Sequence, residues 1–317
     1  MTPEQLHSLR SQLPPFGEEA SHSSELEAFN TFYNLNFVEE LPGVSHKLGY
    51  VDSGNYRLAV HQWQAAEAVA NLLIVHGYYD HTGLFGKLVE WGLRHRCNVL
   101  IFDLPGHGLS TGEPAVIHNF SGYGEAIRDV LSEAALPELP LWTMGQSTGC
   151  SALIEFARAN PWPFSAAVLL APLVRPVGWG GVRSAHTLLR PFVKSIPRRF
   201  ADNTGDKDFL AFVQRDPLQC HRVPLAWISA LRRWLGQLKY KDLGVGSALV
   251  VQGYSDNTVD WRYNVGKIEK LFPISRVSFL QGAGHQLANE TEVVRERYLS
   301  SVLEYLAEHG IHLAGKA

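Results

Sequence analysis

Six apolar runs of strand length, separated by stretches with helical spacing, constrain this chain more than any other feature. The runs are 71–76, 98–102, 139–144, 166–170, 248–252 and 276–281, and the intervening stretches 84–94, 120–133, 150–159, 261–271 and 290–308 carry apolar residues at helical intervals. A run without polar alternation belongs in a strand covered on both faces, and strands alternating with helices build a largely parallel sheet. Ahead of them, Lys47 to Val51 and Arg57 to Trp63 alternate like an antiparallel hairpin, with Ser53, Gly54 and Asn55 at the turn. The expected class is α/β, a mostly parallel sheet of about eight strands flanked by helices. A chain of 317 residues buries roughly 75% of the surface its unfolded form exposes, so it needs no covalent staples.

Charge divides the chain. Residues 173–241 carry 13 Lys and Arg against 4 Asp, whereas the rest carries 15 basic and 27 acidic residues. That contrast marks 173–241 as an inserted helical cap, 46–172 and 242–317 as the core around it, and 1–45 as a helical N-terminal extension. The extension reads as two short helices, the second opening with a capping box from Ser24 to Glu27 and carrying Leu26, Phe29 and Phe32 on one face. Within the insertion, Leu225 to Tyr240 places Trp227, Ile228, Leu231, Trp234, Leu235 and Leu238 at helical spacing, with Arg232, Arg233 and Lys239 alongside. Such a stretch either packs on the rim of the sheet or forms a lid whose basic face meets an anionic membrane. Cys97, Cys150 and Cys220 are few, scattered and outside any C-x-x-C spacing, and the N-terminus lacks an apolar secretion core, so a reduced, cytoplasmic setting is expected. The longest apolar stretches fall well short of the ~20 residues that cross a bilayer. The net charge of −3 and the lack of a recognition motif argue against nucleic acid.

The chemistry centres on Gly145-Gln146-Ser147-Thr148-Gly149, between a strand-like run and a helical stretch. A strand that turns abruptly into a helix strains the serine backbone and exposes its hydroxyl at the carboxyl end of the sheet, and the flanking glycines allow the close approach. A serine hydroxyl needs a histidine base and an orienting acid, which follow in chain order. Asp256 lies just past the run 248–252, and His285 just past 276–281 in Gly282-Ala283-Gly284-His285. Asp260 competes with Asp256 but stands where an acid serves the start of the next helix. The oxyanion donors are assigned to the backbone N–H groups of Thr148, after the nucleophile, and Tyr78, in His76-Gly77-Tyr78-Tyr79 after the run 71–76. Tyr79 and Gln146 are candidate substrate contacts. His76 and His107 are read as structural. No phosphate-binding glycine motif and no metal-ligand spacing occurs, so neither a nucleotide cofactor nor a metal is expected.

Taken in order, H-G-x-x at His76, D-x-x-G-H-G-x-S-x-G from Asp103 to Gly112, G-x-S-x-G at Ser147, G-x-x-D at Asp256 and G-x-x-H at His285 resemble the α/β-hydrolase superfamily. Asp80-His81-Thr82-Gly83, Arg215-Asp216-Pro217-Leu218 and Asn289-Glu290 resemble its monoacylglycerol lipase and lysophospholipase group, also labelled serine aminopeptidase-like hydrolases. The resemblance spans roughly residues 45–310. It implies an α/β-hydrolase fold with a helical cap, an acyl-enzyme mechanism and a monoacylglycerol-like or lysophospholipid-like ester. The elbow carries Gln146 and Thr148 where the group has His and Met, Cys150 replaces a common glycine, and Tyr78-Tyr79 replaces smaller residues, which leaves acyl preference open. The same triad also serves small amides and thioesters, and a ligand receptor could keep the pocket without turnover. A cap with so few acids disfavours recognition of a peptide N-terminus.

Overall fold

Buried backbone groups must pair with one another, and the apolar runs satisfy this by laddering into one sheet. The computed structural model describes residues 1–18, 23–273 and 275–315. Its eight-stranded sheet contains β1 (Ser45–Ser53), β2 (Tyr56–Gln64), β3 (Ala70–Val75), β4 (Cys97–Phe102), β5 (Leu141–Gln146) and β6 (Ala166–Leu170). After a separate ribbon, β7 (Ser195–Pro197) with β8 (Arg222–Pro224), it is completed by β9 (Ala248–Gly253) and β10 (Arg276–Leu280). The spatial order is β1-β2-β4-β3-β5-β6-β9-β10. The β1–β2 hairpin and the β2–β4 pair are antiparallel, and every other pair is parallel. This is the α/β-hydrolase sheet that the motif order implied.

The apolar runs hide a period of two. In β3, Leu72 and Ile74 enter one core while Leu73 and Val75 enter the other, and β4 divides Val99 and Ile101 from Leu100 and Phe102 in the same way. The first face is covered by α1 (Pro3–Gln12), α2 (Ser24–Tyr33), α3 (Phe37–Glu40), α4 (Gly86–Arg94) and, from the chain's end, by residues 292–308. On the second lie α5 (Ser121–Glu133) and α6 (Thr148–Ala159). The insertion after β6 holds α7 (Trp179–Leu189), α8 (Lys207–Val213) and α9 (Leu225–Gln237); α10 (Trp261–Leu271) and α11 (Glu292–Glu308) follow.

Residues 1–18 and 23–45 are fastened to this core. Leu6, Leu9, Phe29 and Tyr33 are buried in the same cluster as Leu72 and Ile74, each full burial being worth about 1.5–3 kcal/mol. Phe16 N–H donates to Tyr50 O and Tyr50 N–H to Pro14 O, both at 2.8 Å, and Arg10 donates to Gly108 O at 2.7 Å. The capping box expected at Ser24 is not formed. Ser23 is the cap, accepting from Leu26 N–H at 3.2 Å, and the box occurs instead at Thr2 and Gln5 of α1. The face of α2 also differs: Phe29 and Tyr33 are buried, with Leu26 and Phe32 only partly covered.

The stretch 225–240 packs inward rather than forming an apolar outer lid. Trp227, Ile228, Leu231 and Trp234 of α9 are buried against the core, where Trp234 stacks on Phe120 at 4.9 Å and Trp227 Nε1 donates to Tyr123 Oη at 3.2 Å. Exposed apolar side chains of the insertion lie instead at the end of α7, where Leu188 is 70% and Phe192 80% exposed.

Candidate active site

Ser147 stands between β5 and α6 with φ 52° and ψ −110°, a backbone that a non-glycine residue adopts only under tertiary compulsion. Its N–H donates to Leu170 O on the neighbouring strand at 2.9 Å, and its own O accepts from Leu173 N–H at 3.2 Å. The elbow can be this tight because Gly149 lacks a side chain: a Cβ there would lie 2.0 Å from Val75 O.

His285 and Asp256 reach the serine from the ends of β10 and β9. His285 Nε2 is 2.9 Å from Ser147 Oγ, and its Nδ1 is 2.8 Å from Asp256 Oδ2. The loops interlock at Gly253, where a Cβ would meet Gly284 O at 2.3 Å. Asp256 also accepts from Gln252 Nε2 at 3.0 Å and from the N–H groups of Thr258 and Val259 at 2.8 and 3.1 Å. Burial opposes its ionisation, yet the imidazole and these donors hold its carboxyl below the usual range. Asp260 does not reach the site. It caps α10 through Tyr263 N–H and pairs with Arg175 at 2.6 Å.

The loop after β3 passes close beside the elbow. A Cβ on Gly77 would stand 3.4 Å from Ser147 Cβ, and Tyr78 and Thr148 both line the cavity in front of the serine. Neither the Tyr78 nor the Thr148 N–H has a hydrogen-bond partner among the described residues. The Tyr78 ring stacks on Trp227 at 4.0 Å and its hydroxyl donates to Ala115 O at 2.7 Å. Tyr79 lines the cavity with φ 70°. His76 lies beneath the loop, Nδ1 on Gly77 O at 2.7 Å and Nε2 accepting from Leu104 N–H at 2.9 Å. His107 Nδ1 lies 2.9 Å from Pro105 O.

Gln146 is not a cavity residue. Its side chain is buried, donates from Nε2 to His285 O at 2.9 Å and accepts from Ala288 N–H at 3.3 Å. A long amide beneath the elbow thus steadies the histidine loop rather than touching substrate. The signal for this was absent from the sequence, because its partners lie more than 130 residues away.

Four other residues around the site entered the sequence reading only as members of the family motifs, with no role assigned to them. Glu290 clamps the histidine loop, accepting from Gly284 N–H at 2.8 Å and Gly205 N–H at 2.9 Å. Asp80 accepts from Gly77 N–H at 3.2 Å and Gln286 Nε2 at 2.7 Å, and burial pushes its carboxyl up. His81 donates from Nε2 to Asp216 at 2.8 Å while Nδ1 accepts from Gly83 N–H at 3.2 Å. Asp216 of the insertion further accepts from Tyr33 Oη at 2.7 Å, Leu218 N–H at 3.0 Å and Gln219 Nε2 at 3.2 Å. Burial works against its ionisation, but His81 and the other donors hold it down at about 2.

The cavity is about 460 Å³ in volume, its roof drawn from the insertion through residues such as Trp179, Leu189 and Ile228. Ser147 and His285 are only 7% and 6% exposed, so a substrate reaches them through this space. An acyl chain is the natural occupant of so apolar a chamber beside a base-activated hydroxyl. Among the described residues, no group of three His, Cys, Asp or Glu is placed to hold a metal.

A family model described as serine aminopeptidase, S33, matches residues 66–292. A monoglyceride lipase homolog of Monkeypox virus is 24% identical over 246 residues, covering 74% of this chain and 87% of that protein. Rat monoglyceride lipase is 30% identical over 185 residues, 54% of this chain and 59% of the relative. Among solved structures, a soluble variant of the monoglyceride lipase of Saccharomyces cerevisiae, bound to a substrate analog, superposes with a TM-score of 0.71 at 17% identity. The match covers 84% of this chain and 95% of that one.

Proposed function

Because the chain belongs to the serine aminopeptidase S33 family, we propose that it is a serine hydrolase of carboxylic esters, acting on monoacylglycerol-like or lysophospholipid-like substrates through an acyl-enzyme. The observation that carries this reading is the hydrogen-bonded chain Ser147–His285–Asp256 at the floor of an apolar cavity. Monoglyceride lipases among the relatives support the substrate class.

In the proposed mechanism His285 Nε2 takes the proton of Ser147 Oγ as that oxygen attacks the ester carbonyl, and Asp256 holds the imidazole and balances its charge. The N–H groups of Tyr78 and Thr148 receive the developing oxyanion. Collapse of the tetrahedral species expels the alcohol, which takes the proton from His285, and water then attacks the acyl-enzyme by the same relay. The cap, residues 173–241, excludes solvent from the acyl chain, and Tyr79 borders the substrate. In this reading the core comprises 46–172 with 242–317, and the N-terminal extension 1–45.

The three free thiols, of which Cys97 and Cys150 are buried, support a reducing cytoplasmic setting. The cap supports peripheral contact with anionic membrane: of its basic residues only Arg175 has a carboxylate partner within 4.0 Å among the described residues, and Leu188 and Phe192 stand exposed beside Arg190. No helix among the described residues is long and apolar enough to cross a membrane.

A fluorophosphonate probe should label Ser147 alone, since only a base-activated serine beside oxyanion donors reacts at neutral pH. A folded protein that stays unlabelled would sink the enzyme reading in favour of a ligand receptor. A panel of esters, thioesters and amides sharing one acyl group then separates the ester reading from its chemical neighbours.

A further inference from the structure

The cavity is apolar along most of its wall, and of the two arginines that border it, Arg198 and Arg199, only Arg198 is drawn in from solvent while Arg199 is exposed. Arg198, between the β7 strand and Phe200, lines the chamber and is only partly exposed. No carboxylate pairs with it among the described residues. Its Nη1 donates to Gln219 Oε1 at 2.8 Å and to Cys220 O at 3.1 Å. The guanidinium carbon sits 3.8 Å from the centre of the Tyr79 ring and 4.5 Å from that of Phe200. The donors on the other edge, Nε and Nη2, have no protein acceptor among the described residues. That edge is the parallel pair of N–H groups that grips a phosphate or carboxylate.

Position decides which part of a substrate would meet this fork. Tyr79, on which Arg198 lies, follows the residue whose N–H faces the reacting carbonyl, and Gln219 ties the two together by donating from Nε2 to Tyr79 O at 3.0 Å. The apolar wall of Trp179, Val182, Leu189 and Leu231 suits the acyl chain. Arg198 therefore belongs to the polar end, where the leaving alcohol departs. Leaving a guanidinium half-buried without a direct ion pair is costly: burial weakens its hold on the proton, and the Asp80 carboxylate, beyond ion-pair distance, offsets this only in part. A bound anion removes that cost.

We propose that Arg198 anchors an anion subsite at the alcohol end of the cavity, and that the preferred esters carry a phosphate on the leaving alcohol, as lysophospholipids do. The inference rests on the ester-hydrolase reading and narrows its substrate class. Arg198 is specificity-determining: it takes no part in bond making.

The test compares two esters with the same octanoyl chain, one of glycerol and one of glycerol 3-phosphate, on wild type, Arg198→Gln and Arg198→Lys. The ratio of kcat/KM for the phosphate ester over the uncharged ester should fall by about 10-fold or more in Arg198→Gln, chiefly through KM, with partial recovery in the lysine variant, which keeps charge but lacks the fork. A ratio unchanged by either substitution overturns the proposal. Calorimetry on Ser147→Ala supplies an arm independent of turnover. Glycerol 3-phosphate should bind and glycerol should not, and binding should be lost when Arg198→Gln is added. Inorganic phosphate binding as tightly as glycerol 3-phosphate would assign the site to free phosphate and overturn the headgroup assignment. If wild type cleaves neither ester, the ester-hydrolase reading fails, while the calorimetric arm still decides whether the subsite exists.

Discussion

At the scale of single residues, Asp256 and Asp260 differ by one turn of chain and by everything that surrounds them. Asp256 is fully engaged by His285, Gln252 and two backbone N–H groups, whereas Asp260 serves a helix end and Arg175. Asp256→Asn should lower kcat by roughly 10³–10⁴-fold, because an amide no longer selects the tautomer that leaves Nε2 free to accept. Asp260→Asn should leave kcat nearly intact and cost about 1 kcal/mol of stability through the weakened cap and ion pair. Steady-state kinetics with urea unfolding reads both, and a reversal of the two effects would transfer the orienting role to Asp260. Gly149 and Gln146 show the same contrast: the glycine was legible because its spacing is part of the elbow, the glutamine's role was not.

Elements meet at Asp216. One buried carboxylate collects Tyr33 from α2, His81 from the loop after β3, and Leu218 and Gln219 from its own turn, so it joins the N-terminal extension, the elbow's neighbour loop and the cap. Hydrogen bonds to a charged acceptor are each worth about 1.5–3 kcal/mol. Asp216→Asn, whose amide nitrogen cannot accept, should cost at least about 2 kcal/mol and lower kcat by loosening the Tyr78–Tyr79 segment. Tyr33→Phe removes one of these bonds and should cost about 1–2 kcal/mol. Urea denaturation of the two variants alongside their kcat tests this, and wild-type values in both would show that α2 is an independent appendage. The helix lies outside the matched range 66–292.

Two whole-molecule properties follow from buried imidazoles and from the charge split. Burial holds His46 at about 3 and His107 at about 4, and His61 and His76 well below the usual value. His46 Nε2 and His61 Nδ1 share a hydrogen bond of 3.1 Å, which leaves room for one proton between them. Each imidazole has a folded pKa below its unfolded value near 6.5, so the unfolded chain takes up protons that the native one refuses. Stability is therefore fully present above pH 6.5 and is lost as pH falls below it, at about 1.4 kcal/mol per pH unit for each group. The urea midpoint should drop steeply between about pH 6.5 and 4.5, and a flat profile there would mean that these rings are hydrated in the native state. The basic cap predicts that association with phosphatidylserine vesicles weakens as salt rises from about 0.05 to 0.5 M, since the Debye length shrinks to about 4 Å. Phe192→Ser and Arg232→Glu with Arg233→Glu should each weaken it, and equal binding to neutral vesicles would remove the electrostatic contribution.

Local patterns alone determined the strand runs, their parallel order, the elbow at Ser147 and the loops that deliver Asp256 and His285. Each depends on a short-range rule: burial on both faces, a strand breaking into a helix, a glycine where chain meets chain. Tertiary structure decided the rest. Which face of α9 turns inward, that Ser23 rather than Ser24 caps α2, that Gln146 braces the histidine loop, and that Tyr33 finds Asp216 at a separation of 183 residues are outcomes of global packing. A polar side chain in a sequence has many possible partners, and only the assembled core, by excluding water from all but one of them, makes the choice.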